Sequence, residues 1–279
     1  MVVITAYSTV VFDQAINDLR NAIVEHLIKN PKTLKDSIGD IKKWARGIGH
    51  RSGQINNTII RQTRSLSSSF DEIMVDGAFD IFLSQTSNGI STPTVEIETT
   101  VDAQNHVIVE IVDNHILSIH IKGPLKVDNN IYAYIRFNSP LRRYTIRGSG
   151  NTITDDNGIS NDGNDTFVLD NRGTANVAIQ LNVNKLEVYF TGTGNSRFSG
   201  QVRQQAIFDA TGIGDITALD LITKQVKVRA MGISIIRVAA TDDVEIEVTG
   251  VSSVYYRLPF GKKPSTAIST GLGKIAPIP

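Results

Sequence analysis

Residues 189–198 spell YFTGTGNSRF, and 209–218 spell DATGIGDITA. Aligned on the glycine of each phrase, five segments fall into register: FVLDNRG ending at Gly173, LEVYFTG at Gly192, AIFDATG at Gly212, VKVRAMG at Gly232 and VEIEVTG at Gly250. Their glycines are spaced by 19, 20, 20 and 18 residues. In each segment the first, third and fifth positions are apolar, as in Leu186, Val188 and Phe190 or Val244, Ile246 and Val248, with Asn171 the one polar exception. The positions between them carry Asp170, Glu187, Asp209, Lys227, Arg229, Glu245 and Glu247. Side chains alternate across a strand, so this pattern predicts strands with one buried and one wet face. A second inward pair follows each glycine, for example Ile216 and Ala218 or Ile236 and Val238, so each unit reads as strand, tight glycine corner, strand.

A period of about 20 residues with two or three short strands per unit predicts a solenoid, each coil lying on the last at the ~4.8 Å strand spacing. The glycine belongs where the chain turns sharply, often with positive φ. A phosphate-binding loop is the competing reading. GTGNSRF lacks the lysine and following helix that such a loop requires, and Asp and Asn rather than a helical run follow GSGNTI.

Upstream, FDEIMVDGAFDIFL, VEIETTV, HVIVEIV, ILSIHI and IYAYIRF are alternating runs separated by Gly, Pro, Asn and Asp, with Asp113–His115 read as a turn joining two of them. Before residue 52 the period is helical. Phe12, Ala15, Ile16, Leu19, Ile23 and Leu27 recur on one face, and a second amphipathic helix is expected from Thr33 to about Ile48. The expected organisation is therefore an N-terminal helical segment over 1–52, covering one end of the stack, and a β domain over 53–279. Between Pro31 and Arg51 six basic residues face two acidic ones, read as the solvated face of a docked helix rather than a membrane-surface helix.

The 279 residues are 41% hydrophobic, enough for a substantial core, and 28 Lys and Arg balance 28 Asp and Glu. No net field draws in nucleic acid, and no nucleic-acid partner is expected. The absence of cysteine excludes disulfides and thiolate chemistry. MVVITAYSTVVFDQAIND has no basic n-region, and Asp13 interrupts its apolar run, so it fits neither a signal peptide nor a transmembrane segment of ~20 residues. As written, the chain reads as cytoplasmic.

Candidates for chemistry are few. DDNGISNDGND (155–165) is rich in calcium-type ligands but falls outside the EF-hand register, and is read as a polar insertion that leaves the coil. His106, His115 and His120 share a predicted hairpin without HxH or HExxH spacing, so they are read as surface residues and no metal or cofactor is expected. Asp209, Arg229 and Glu247 occupy one outward position on successive units, a pattern of paired charges rather than of isolated catalytic carboxylates.

SLSSSFDEIMVDGAFDIFLSQ, the pair around HVIVEIVDNHILSIHIKG, SPLRRYTIRGSGNTI, the serial glycines and the close YYRLPFGKKPSTAISTGLGKI together resemble the putative auto-transporter adhesin, head GIN domain family, over about residues 65–279. The resemblance implies a right-handed parallel β-helix, found mostly in exported or surface proteins of bacteria. The expected structural corners are Gly148, Gly173, Gly192, Gly194, Gly212, Gly214, Gly232, Gly250, Gly271 and Gly273, although those at Gly173, Gly232 and Gly250 lack a second glycine. The expected function is a non-catalytic structural or binding module, adhesin-like, taking a protein or glycan on its outer faces and self-associating through its ends. The alternative is a carbohydrate-active β-helix enzyme of lyase or glycosidase type.

Overall fold

The computed structural model describes residues 58–278, apart from 67, 87–91, 124, 126–129, 162 and 164–165. The helices expected within 1–52 lie outside the described residues. Four strands come first: β1 (Ile59–Ser65), β2 (Glu72–Asp76), β3 (Phe79–Gln85) and β4 (Thr94–Thr100). A single helical turn, α1 (Val101–Gln104), leads into the hairpin of β5 (Val107–Val112) and β6 (Ile116–Ile121). Next come β7 (Ile131–Phe137), β8 (Arg143–Ile146), β9 (Ser149–Thr154), the two-residue β10 (Ile159–Ser160) and β11 (Thr166–Asn171). Three long strands, β12 (Thr174–Phe190), β13 (Ser196–Ala210) and β14 (Ile213–Ala230), precede β15 (Ile233–Ala239), β16 (Asp243–Val248), β17 (Ser253–Arg257), β18 (Thr266–Ser269) and β19 (Ile275–Pro277).

Among the described residues these strands join into one mixed sheet of nineteen, nearly closed and barrel-like, which corrects the expected right-handed parallel β-helix. Antiparallel pairing is what the alternation could not announce. β1 runs antiparallel to β4, β4 to β7, and β5 to β6. A period of two assigns each residue to a face and says nothing of the neighbour's direction. The later strands pair in parallel, with Leu169 opposite Val188, Val188 opposite Phe208, Phe208 opposite Val228 and Val228 opposite Ile246.

The alternation does locate the core. Leu186, Val188, Phe190, Ala206, Phe208, Ala210, Val244 and Ile246 are all buried, while the residues between them reach solvent or its margin. Phe198 and Phe208 stand 5.6 Å apart, and Phe70 and Phe137 form a second pair at the same distance. Several polar groups inside find partners. Gln104 donates to Ile97 O at 2.7 Å and to Ile60 O at 3.2 Å while accepting from Arg64, so α1 is tied to both β1 and β4. The Tyr144 hydroxyl pairs with Thr152 Oγ1 at 2.7 Å, and burial pushes its pKa far above the usual phenol range. At the expected turn, Asp113 and Asn114 adopt φ of 51° and 62° and close the β5–β6 hairpin.

Candidate ligand groove

Glycine decides how closely successive segments approach. Ser149 N donates to Gly77 O at 2.9 Å, Thr174 N to Gly148 O at 2.8 Å, and Thr193 N to Gly173 O at 2.9 Å. The ladder continues with Ile213 N to Gly192 O, Ile233 N to Gly212 O, Val251 N to Gly232 O and Leu272 N to Gly250 O, at 2.8–3.2 Å. A Cβ on Gly148, Gly173, Gly192, Gly212, Gly232 or Gly271 would run into the carbonyl oxygen of the glycine beneath it. None of these six has positive φ, so the sterics of close backbone approach, rather than a left-handed turn, exclude a side chain there. Gly250, Gly194 and Gly214 are different, with φ of 144°, 133° and 145°. Gly273 lies against Ser252 O, and the hydroxyls of Ser234 and Ser252 meet at 3.0 Å in the same neighbourhood.

Over the first steps of this ladder lies a groove of about 560 Å³ lined by 76–78, 147–149, 172–174 and 191–193. Its floor is backbone already spent on internal hydrogen bonds. Its walls are side chains: Asp76, Arg147, Arg172, Thr174, Thr191 and Thr193, all exposed. The two guanidinium groups differ. Arg172 is held by Asp170, with Nε at 3.0 Å from both carboxylate oxygens and an Nη at 2.6 Å from one. Arg147 makes no ion pair among the described residues. The groove thus offers one uncommitted planar cation beside a row of hydroxyls, suited to hydrogen-bonding an oxygen-rich ligand. Past the groove the outer row turns aliphatic: Ile213, Ile233, Val251 and Leu272 are 53%, 56%, 54% and 89% exposed.

The other residues singled out in the sequence are dispersed. Arg229 pairs with Glu247 at 3.6 Å rather than with Asp209, an exposed bridge worth about 0–1 kcal/mol. Asp155 is engaged in a turn, accepting from Asn157 N at 3.1 Å, Gly158 N at 3.2 Å and Ser84 Oγ at 2.5 Å. The segment after it returns to the sheet, where Ile159 is fully buried and β10 pairs with β12, against the expectation that 155–165 leaves the coil. His106 contacts Lys122 O and His120 contacts Ser118 Oγ, whereas His115 approaches Glu72. Sequence reasoning passed over Arg147, since nothing in RYTIRGSG distinguishes an uncommitted arginine from a paired one.

Among the described residues no helix is long and apolar enough to cross a membrane. No curated protein matches the chain. Its fold matches the crystal structure of a putative adhesin from Bacteroides fragilis, at 25% identity and a TM-score of 0.71, over 81% of this chain and 100% of that one. Adhesins so described from Parabacteroides distasonis (22% identity) and Parabacteroides merdae (20%) share the fold at a TM-score of 0.57, each over 80% of this chain and 98% of its own. Residues 69–257 match the family model described as putative auto-transporter adhesin, head GIN domain, and the chain belongs to that family.

Proposed function

We propose that the protein is a non-catalytic binding module acting at a cell surface or elsewhere outside the cytoplasm, and that it holds an extended glycan in the groove beside Arg147. The observation that carries this reading is the uncommitted guanidinium standing over a rigid backbone floor. Four segments at the ~4.8 Å strand spacing give a span of ~15 Å, the scale of a short oligosaccharide. In this reading the ten glycines are structural, and Gly148, Gly173 and Gly192 among them, with Gly77, bring the backbones close enough to make the groove floor continuous. The aliphatic row Ile213, Ile233, Val251 and Leu272 extends the face for apolar contact with the ligand.

Support against the carbohydrate-active alternative comes from the lining, which carries one carboxylate, Asp76, where most glycoside hydrolases use two. A glycan array followed by titration calorimetry tests the reading. Acidic oligosaccharides should bind without being cleaved, and Arg147→Ala should weaken binding by at least ~10-fold, the scale of a lost charge-assisted hydrogen bond. New reducing or unsaturated ends in the same samples would replace the proposal with the enzymatic reading. Binding unchanged by Arg147→Ala would place the site elsewhere.

A further inference from the structure

We propose a divalent transition-metal site of zinc type where β2 begins, formed by Asp71, Glu72 and His115. Their donor atoms all lie within 4.8 Å of one another, although His115 stands in the β5–β6 turn and the two acids precede it by more than forty positions. His115 Nε2 is 4.0 Å from Glu72 Oε1. Donors around a tetrahedral zinc, each ~2.0–2.1 Å from the ion, are ~3.3 Å apart, so the set needs only a modest closure. His115 and Glu72 can supply it by side-chain rotation, being 43% and 24% exposed.

Two independent features point to an ion. The first concerns the imidazole: its Nδ1 lies 2.7 Å from Asp113 O, a carbonyl that can only accept, so Nδ1 carries a proton and Nε2 is the nitrogen turned toward Glu72. A histidine oriented through its other nitrogen by a carbonyl is the usual arrangement at metal sites. The second concerns Asp71, whose Oδ2 takes Arg142 at 2.6 Å while Oδ1 is buried with no hydrogen-bond partner. A carboxylate oxygen shut away from water without a donor is costly, and a cation removes that cost.

The backbone already holds the parts in place, since Asp71 N and Glu72 N both donate to His115 O, at 3.1 and 3.3 Å. One imidazole and two carboxylates suit zinc better than calcium, which takes six or more oxygens. With three protein ligands the fourth position stays open to water. A metal there would pin the hairpin turn to the first residue of β2. Asp71 and Glu72 lie outside the groove lining, so the site stands or falls independently of the glycan reading.

The test is titration of the full-length, chelator-treated protein with Zn²⁺, with Ca²⁺ as a comparison. One equivalent of Zn²⁺ should bind to a site for which Ca²⁺ does not compete. His115→Gln and Glu72→Gln should each weaken it at least ~10-fold, and His120→Gln should leave it unchanged. Wild-type protein loaded with Co²⁺ provides a readout that needs no variant: the intense visible absorption of a four-coordinate site is expected. Failure to bind Zn²⁺, affinity untouched by both substitutions, or a weak six-coordinate Co²⁺ spectrum would each overturn the proposal.

Discussion

Gly192 packs on Gly173 so closely that a Cβ on Gly192 would lie 1.9 Å from the Gly173 carbonyl oxygen. The adjacent hydrogen bond, Thr193 N to Gly173 O at 2.9 Å, fixes that separation. Gly192→Ala therefore cannot be relieved by rotating a side chain. The backbones must part, and the loss should reach at least ~3 kcal/mol, the upper end for overpacking. Gly261 is the control. It has φ of 83°, and a Cβ added there would meet nothing within 4 Å, so Gly261→Ala should cost only ~1–2 kcal/mol of left-handed strain. Urea unfolding of both variants decides the matter, and equal losses would remove the argument from close approach.

Phe208 stands in the core between Val188 and Val228 on the adjoining strands, against Phe198 at 5.6 Å, with no exposed surface. Its own strand β13 and the neighbouring β12 and β14 are fixed by backbone ladders and can collapse only partly onto a void. Phe208→Ala should cost ~3–5 kcal/mol, and Phe208→Leu distinctly less. Denaturant midpoints that rank the two variants the other way would show that shape, rather than volume, governs this site.

Asp243 accepts from Ser265 Oγ at 2.6 Å and from Ser265 N at 3.0 Å, and the hydroxyl's hydrogen bond is the main reason its carboxyl is held below the usual range. A depressed folded-state pKa adds stability above the unfolded value of ~3.9, and that stability is lost as pH falls through the folded value. Ser265→Ala should therefore destabilise the protein slightly near pH 7 and make little difference near pH 2. Chemical denaturation of both forms at the two pH values measures this. A difference that persists undiminished in acid would rule out the carboxylate as its source.

How far the sequence reached depends on the range of the interaction concerned. Alternation is local, so the inward residues from Leu186 to Val248 and the Asp113–Asn114 turn could be read from neighbours in the chain. The joining of β2 to β8, with Ile73 opposite Tyr144, or of β4 to β7 in the antiparallel sense, involves partners that no local period names. For the same reason the expected β-helix gave way to a barrel-like mixed sheet. The groove was hidden because its lining comes from four separated tripeptides. Its glycines were visible, yet positive φ, the reason that a tight corner suggests, applies at Gly194, Gly214 and Gly250, while contact with the backbone beneath explains most of the others. His115 carried no metal-binding spacing because its neighbours Asp71 and Glu72 come from another segment.

Asn171 is the one polar residue in the inward pattern, and its hydrogen bonds explain why it is tolerated there. It is fully buried: its Nδ2 donates to Ala175 O at 3.1 Å, and its Oδ1 accepts from Gly173 N at 3.2 Å, so one amide bridges both sides of the turn at Gly173. Its own carbonyl oxygen receives Thr191 N at 3.0 Å and Gly192 N at 3.1 Å, which links that turn to the next one in the ladder. Equivalent positions hold Phe190 and Ala210, so an apolar side chain matches the face but leaves Gly173 N without its acceptor. Asn171→Ala should therefore cost ~1–3 kcal/mol for the orphaned amide, with additional loss from the vacated volume. Asn171→Leu restores volume but not the hydrogen bond, and should recover only part of the loss. Amide exchange gives the local readout: the Gly173 N–H should lose protection in both variants. Should Asn171→Leu equal or exceed the wild type in stability with Gly173 still protected, the bridge would not be what holds this turn.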